Sequence, residues 1–535
     1  MNQSSLSKTQ ILSRPNLDQK PSFISQLLFG SLLFVGLFFT AYSLVLDIEE
    51  VQLQITASFP FILLGVALML ALGFEFVNGF HDTANAVATV IYTHSFSPNF
   101  AVIWSGFFNF LGVLFSSGAV AFGIVALLPI ELVLHTGSET DFAMIFALLI
   151  AAVLWNLGTW WFGLPASSSH TLIGSLIGVN VADSLGHGRG GFSGIDWAQV
   201  TKVGYALLFS PLIGFVCAGL LFWALRALVK NQELYQEPTD NSPPPWWIRG
   251  ILILTCTGVS FLHGSNDGQK GMGLIMLILV GSVPLAYSLN RALPPEHNNQ
   301  FIAAAQAVQQ SLSKNSQAEL LTSSPTIVLS DYVQTKNITP ELLPALASVT
   351  SILEKQVKLY GSISQTPADV VTNLRGKMYL VAETIRLIEK DKTINLDKDT
   401  KTKLKTFKNQ LEAVIKFIPV WVKVVVAIAL GLGTLAGWKR VVITVGEKIG
   451  KSRMTYAQGA MAGLSAILTI GSADVYGLPV STTQVVSSGV AGTMVANKSG
   501  LHVGTLRNVL LAWVFTLPAA MVLSGLLYWL FLHLF

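Results

Sequence analysis

Charge is what this chain has least of. Only 12% of its 535 residues are Asp, Glu, Lys or Arg, where a soluble chain carries about 25%. Hydrophobic residues make up 52%, and the mean hydropathy is +0.58. A surface so poor in charge cannot stay in water, which excludes an ordinary soluble enzyme. The apolar content excludes disorder for most of the length. Cysteine is nearly absent: Cys217 and Cys256 both sit in apolar runs, which excludes a disulfide frame and a cysteine metal site. A net charge of +4 is too small to argue for nucleic acid. The sequence has no G-x-x-x-x-G-K-[S/T] loop and no G-x-S-x-G elbow, so neither an ATP-driven pump nor an elbow-type serine enzyme is indicated.

What the chain has is long apolar runs. Charge-free stretches cover 24–46, 99–130, 142–182, 203–225, 454–473, 475–497 and 508–535. Glu75 and Asp82 interrupt another at 57–92, and Asp267 and Lys270 one at 250–290. A spanning helix takes roughly 20 apolar residues, so about ten to twelve membrane elements are expected, some broken or re-entrant. The fold class is thus an all-α polytopic membrane protein, multi-pass in the lipid bilayer. The first run is too long for the apolar part of a signal peptide and reads as a retained helix.

Residues 291–416 break the pattern, being rich in Lys, Glu, Asp, Gln, Ser and Thr. Thr366-Pro367-Ala368-Asp369 places a cap, a first-turn proline and an acid together. Val371, Leu374, Met378, Val381, Ile385 and Ile388 then mark one apolar helix face. Thr339-Pro340-Glu341 opens another helix, and Asn395 caps a third that runs through Leu404, Phe407, Leu411 and Val414. The first part, Pro294 to Thr335, reads as mobile. The expected division is therefore a tail (1–23), an extra helix with its connection (24–56), a first repeat (57–230), a connecting loop (231–249), the start of a second repeat (250–290), a helical hydrophilic insertion (291–416) and the rest of the second repeat (417–535).

The repeat rests on two motifs that each occur twice in the same order. Gly79-Phe80-His81-Asp82-Thr83-Ala84-Asn85 aligns with Gly264-Ser265-Asn266-Asp267-Gly268-Gln269-Lys270. Gly163-Leu164-Pro165-Ala166-Ser167-Ser168-Ser169-His170 aligns with Gly477-Leu478-Pro479-Val480-Ser481-Thr482-Thr483-Gln484. Internal symmetry with Gly/Pro-interrupted apolar segments points to a transporter site. Lys439, Arg440, Lys448, Lys451 and Arg453 mark a cytoplasmic connection, whereas Glu131, Glu139 and Asp141 lie in the equivalent connection of the first half, which has no Lys or Arg. Opposite bias at equivalent places predicts an inverted repeat and puts the insertion outside the cytoplasm.

An ionisable residue at the bilayer centre costs about 2.5–3.5 kcal/mol or more, so Asp82 and Asp267 are the first candidates for function. Each sits beside Gly and Asn, where a helix break is expected to free carbonyls for a small cation or a proton. The alternative is a carboxylate pinning the break. Ser167, Ser168 and Ser169 follow Pro165; Ser481, Thr482 and Thr483 follow Pro479. Free N–H groups, hydroxyls and the helix dipole there make an anion site, unless the hydroxyls only bond back or join helices. Lys270 either neutralises an anion or pairs with Asp267. His81, His170 and His263 relay protons or donate structural hydrogen bonds. Glu75 faces the pathway or caps buried amides. Asn109 and Asn156 read as helix-joining groups.

These paired motifs resemble the inorganic phosphate transporter (Pit/PiT) family. The segments Asn78–Ala86, His263–Gly271, Trp155–Trp160 and Ala512–Ala520 are similar to its bacterial low-affinity Pit branch, over about 57 to 535. The resemblance implies alternating access by an inverted-repeat core in a bacterial inner membrane, and symport of phosphate with a cation. Asp82, Asp267 and Asn266 would serve cation coupling. Ser167, Ser168, Ser169, Ser481, Thr482, Thr483 and Asn85 would serve phosphate, and Lys270 joins them as a candidate on its charge alone. His81, His170 and Glu75 stand as proton-relay candidates on their own chemistry and place, outside what the resemblance implies. The branch implies H+ rather than Na+, phosphate taken alone or as a divalent-metal complex, and no resident metal or cofactor. A homo-oligomer is compatible with this. Gln484 stands where the family has His, which bears on proton handling. Another tetrahedral oxyanion such as sulfate suits the same donors. An intramembrane enzyme using the Ser-Ser-Ser-His run is the reading of a different class; Gln484 in the second copy argues against it.

Overall fold

The computed structural model describes residues 15–18, 22–51, 59–82, 84–125, 127, 139–186, 197–238, 243–315, 323–391 and 393–534. The first half runs through α1 (Phe23–Glu50), α2 (Phe59–Asp82), α3 (Ala84–Tyr92), α4 (Pro98–Phe115), α5 (Ala119–Val125), α6 (Glu139–Trp161), α7 (Ser168–Gly186) and α8 (Trp197–Leu228). Then come α9 (Trp246–Ser282), α10 (Pro284–Tyr287), α11 (Pro295–Asn315), α12 (Pro325–Thr335), α13 (Leu342–Tyr360), α14 (Ala368–Lys390) and α15 (Lys398–Ile415). The chain closes with α16 (Val420–Leu435), α17 (Lys439–Ile443), α18 (Tyr456–Val475), α19 (Thr482–Ala496) and α20 (Val503–Leu534).

Seven helices among the described residues are long and apolar enough to cross a membrane: α1, α2 with α3, α4, α6, α8, α9 and α20. Four more, α7, α16, α18 and α19, are shorter or carry more Ser, Thr and Gly, and lie mostly buried in the core. Helix α1 exposes Phe23, Phe34, Phe38 and Tyr42, as a lipid-facing helix does. It packs on α16 through Gly36, and its Asp47 accepts hydrogen bonds from Tyr287 (2.6 Å) and Trp421 (2.9 Å).

The neighbours of one half recur, exchanged, in the other. Helix α7 packs on α20 as α19 packs on α8, and α9 packs on α4 as α2 packs on α16. The exchange reaches individual atoms. A methyl group added at Gly433 would meet the Phe76 carbonyl oxygen at 2.1 Å, and one at Gly112 the Phe261 carbonyl oxygen at 2.0 Å. Phe76 and Phe261 occupy equivalent places, three residues before Gly79 and Gly264.

These close approaches correct one expectation. The segment around Asp267 is not a helix break: α9 is continuous over 37 residues. Its glycines serve contact instead. A Cβ at Gly264 would lie 2.1 Å from the Asn109 carbonyl oxygen, and one at Gly271 would lie 2.2 Å from the Glu75 Cγ. Small residues let helix backbones meet in a membrane. In the first half α2 ends at Asp82 and α3 begins at Ala84, while Thr83 lies outside the described residues. We expect Gly264→Ala to lower the thermal midpoint of the detergent-solubilised protein by many degrees, because the obstructing atom is backbone. Gly250→Ala on the same helix meets nothing within 4 Å and should be neutral or stabilising by up to about 1 kcal/mol.

The insertion has its own apolar core, running from Leu289 to Ile415. All six apolar residues of α14 that mark its face are buried there, each contributing about 1.5–3 kcal/mol before entropy. The third helix starts two residues later than read: Asp397, not Asn395, is the cap and accepts from the Thr400 amide. The stretch from Pro294 to Thr335, expected to be mobile, forms α11 and α12 on either side of 316–322, which lie outside the described residues. Phe301, Ala305, Val308 and Leu312 bury one face of α11. Their spacing of 4, 3 and 4 is the helical signal that the polar composition hid.

Candidate functional site

The site forms where the two repeated motifs of each half meet. Gly163 (φ +65°) and Gly477 (φ +62°) end the preceding helices in the left-handed region, where a side chain would be strained. The chain then runs extended through Leu-Pro and enters α7 at Ser168 and α19 at Thr482. Asn266 clips the second of these segments with both ends of its amide. Its Nδ2 donates to the Leu478 carbonyl (3.0 Å), and its Oδ1 accepts from the Val480 amide (3.3 Å). That places Asn266 as a clamp on the anion-motif backbone, beside the cation role expected of it.

Both helix starts donate to Asp82, and the start of α7 also reaches Asp267. Asp82 accepts from Thr483 Oγ1 (2.6 Å) and Ser168 Oγ (2.8 Å), and His81 Nδ1 lies 2.9 Å from it. The far nitrogen of His81 lies 3.2 Å from Thr159 Oγ1. Asp267 pairs with Lys270 at 2.8 Å, and Ser168 Oγ lies 3.5 Å from the same carboxylate oxygen. Lys270 also donates to Ser169 Oγ, which donates to the Val480 carbonyl at 2.8 Å. Lys270 thus contacts both Asp267 and the Ser triplet. All of these side chains are buried.

Other expected residues turn elsewhere. Ser167 Oγ lies 2.7 Å from His170 Nδ1 within one helical turn. Ser481 caps α19 by accepting from the Gln484 amide at 3.2 Å. Glu75 is buried against Gly271 and accepts from Asn78 at 3.4 Å. The Asn85 side chain lies outside the described residues. Asn109 and Asn156 join helices as read, through His263 Nδ1 (2.8 Å) and Thr171 Oγ1 (2.9 Å).

Three buried groups sharpen the site. Asp82, His263 and Asp267 bring one ligand atom each within 4.8 Å of one another, a set able to hold a small cation. His263 is one helical turn before Asp267, a spacing that puts both side chains on one face of α9. Asp267 Oδ1, Thr482 Oγ1 and Gln484 Nε2 are buried without a hydrogen-bond partner among the described residues. Such groups are rare unless something else satisfies them. A further carboxylate, Asp474, accepts from Ser265 (2.7 Å) and Gln269 (3.0 Å) on α9. In the sequence it falls in the gap between the apolar runs 454–473 and 475–497, so its place carries no signal of burial.

The chain is similar to known proteins over most of its length. The chain is 41% identical over 491 residues to the low-affinity inorganic phosphate transporter PitB of Escherichia coli K12, covering 88% of this chain and 97% of that one. It is 39% identical over 489 residues to the low-affinity inorganic phosphate transporter of Buchnera aphidicola from Acyrthosiphon pisum, again covering 88% and 97%. A solved structure titled the sodium-dependent phosphate transporter aligns with TM-score 0.49 and 20% identity, covering 88% of this chain and 99% of that one. The sequence pattern of the phosphate transporter family matches residues 78–524. The chain therefore belongs to the phosphate transporter family, as a multi-pass membrane transporter and not an enzyme.

Proposed function

We propose that this chain carries inorganic phosphate across the membrane in symport with protons, exposing one site alternately to either side through two inverted halves. One observation supports this above all. The Ser/Thr starts of α7 and α19, one from each half, both donate to Asp82, and Ser168 of α7 also reaches Asp267.

The charges dictate an order. Two carboxylates and one ammonium leave the buried site with a negative surplus. An oxyanion about 5 Å from an uncompensated carboxylate is repelled by roughly 3 kcal/mol at an effective dielectric of about 20. A proton taken up among Asp82, His263 and Asp267 removes that repulsion. It also weakens the hold of Asp82 on the hydroxyls of Ser168 and Thr483, which then turn to the oxyanion beside Lys270. Coupling is thus an exchange of hydrogen-bond acceptors: ionised Asp82 takes the donors when the site is empty, phosphate takes them when Asp82 is neutral. A divalent metal arriving as cargo with phosphate would meet the same three ligands. After release of phosphate and proton, the carboxylate recaptures the hydroxyls and the empty site can return.

Phosphate is favoured over sulfate by Asp267 Oδ1, buried and without a partner among the described residues. Near neutral pH phosphate still has a proton to donate to such an acceptor, and sulfate has none. In proteoliposomes loaded with unlabelled phosphate, external radiolabelled phosphate should exchange inward. A hundredfold excess of sulfate should leave that exchange standing. Sulfate competing as well as phosphate would overturn the choice of substrate.

A further inference from the structure

The insertion does more than interrupt the second half. A cavity of about 340 Å³ lies between it and the membrane core. One wall is the α14 face that carries Arg375, Arg386 and Lys390, together with Lys416 at the end of α15. The other wall comprises the ends of membrane elements: α5, Lys202 on α8, Leu277 on α9, and Val475 to Gly477.

Its position is set by two routes to the inner site. Leu277 lies ten residues beyond Asp267 on the continuous helix α9, or roughly 15 Å at 1.5 Å per residue. Gly477 lies four residues before Ser481 along the extended segment, or about 13 Å. Both place the cavity directly outside the site, at the mouth of the second anion motif. The basic connection 439–453 lies at the far end of α18, so the cavity opens on the opposite face.

Its charge is one-sided. Five cations line it, Lys202, Arg375, Arg386, Lys390 and Lys416, against the two carboxylates Glu383 and Glu412. Both carboxylates already bind neighbouring cations: Arg386 grips Glu383 with two nitrogens, and Lys416 holds Glu412 at 2.7 Å. The cations come from both walls, so the surplus belongs to the cavity and not to one element. Burial lowers the Arg375 guanidinium to about 10, still protonated near neutral pH. The volume exceeds that of one anion: at about 30 Å³ per water it has room for a phosphate with part of its hydration shell.

We infer that the insertion and the core together form an outer anion-binding vestibule, which collects hydrated phosphate before it is stripped of water and passed to the inner site. This rests on the phosphate reading above. Fields in a cationic cleft with low-dielectric walls concentrate anions and fade with salt. Inner-site chemistry would not carry that salt signature.

The test uses the full chain in proteoliposomes and varies two exposed lysines, one from each wall. The double variant Lys202→Gln/Lys390→Gln should raise the KM for phosphate about fivefold at low ionic strength. The difference should vanish in 0.5 M KCl (about 4 Å of screening length). Lys390→Arg in place of Lys390→Gln should restore about half of the loss, to a KM roughly twofold above wild type, since Lys202→Gln remains. Because both lysines are exposed, folding is spared even if an Arg375 variant fails to fold. Equal KM and equal salt dependence in wild type and double variant, with wild type transporting, would overturn the vestibule alone. No phosphate transport by the folded wild type would overturn the reading on which it rests.

Discussion

Asp82→Asn should leave phosphate-for-phosphate exchange running and reduce gradient-driven accumulation to the leak of protein-free vesicles. The amide is neutral at every pH, so it stands in for the protonated carboxyl. Ser168 and Thr483, which donate to Asp82 at 2.8 and 2.6 Å, would then be weakly held and available to the oxyanion. Hydrogen bonds to a charged group contribute about 1.5–3 kcal/mol, against about 1 for neutral pairs, so the balance between carboxylate and phosphate shifts towards phosphate. The loaded site can still reorient, which permits exchange. The empty site has lost the carboxylate that recaptures the hydroxyls, so net flux stops. Loss of exchange together with accumulation, in a folded variant that still binds phosphate, would contradict the acceptor-exchange account.

Lys270→Ala should be the most destabilising single change at the site. Lys270 and Asp267 are both fully buried and 2.8 Å apart. Removing one partner of a buried pair strands the other charge, at about 3–5 kcal/mol. Replacing both by neutral groups removes that penalty, so Asp267→Asn/Lys270→Met should recover most of the thermal midpoint in detergent. Transport should not return in the double variant, because one replacement removes the cation next to the Ser triplet and the other a coupling carboxylate. If the single variant keeps the wild-type midpoint, the pair does not hold the site together. If the double variant transports, Lys270 and Asp267 are not part of the machinery.

How much of this could be read from the chain differs from residue to residue. Asp82 and Asp267 were legible because an ionisable group in an apolar run is costly and so needs a reason. The Ser/Thr triplets were legible because proline and glycine mark the helix starts that carry them. That Ser168 reaches both aspartates was not: it depends on how α7 sits across the two halves, and no local pattern encodes that. The glycines near Asp267 misled, since the same residue type that breaks a helix also lets two helices touch. Only the facing atoms, the Asn109 carbonyl at Gly264 and Glu75 at Gly271, decide between the two. Asn266 was named with the cation-coupling residues, and no local pattern shows that its amide also clamps the backbone of Leu478 and Val480. In the insertion, strong amphipathic spacing revealed α14, whereas α11 was missed because its apolar face is narrow and set in a polar composition.

The central claim is that proton uptake at the paired aspartates drives phosphate movement. Radiolabelled phosphate uptake by wild-type proteoliposomes under an imposed proton gradient, beside an equal sodium gradient, tests it most directly. The account predicts accumulation above equilibrium with the proton gradient alone, abolished by collapsing it with a protonophore. Accumulation that follows the sodium gradient and ignores the protonophore would contradict it.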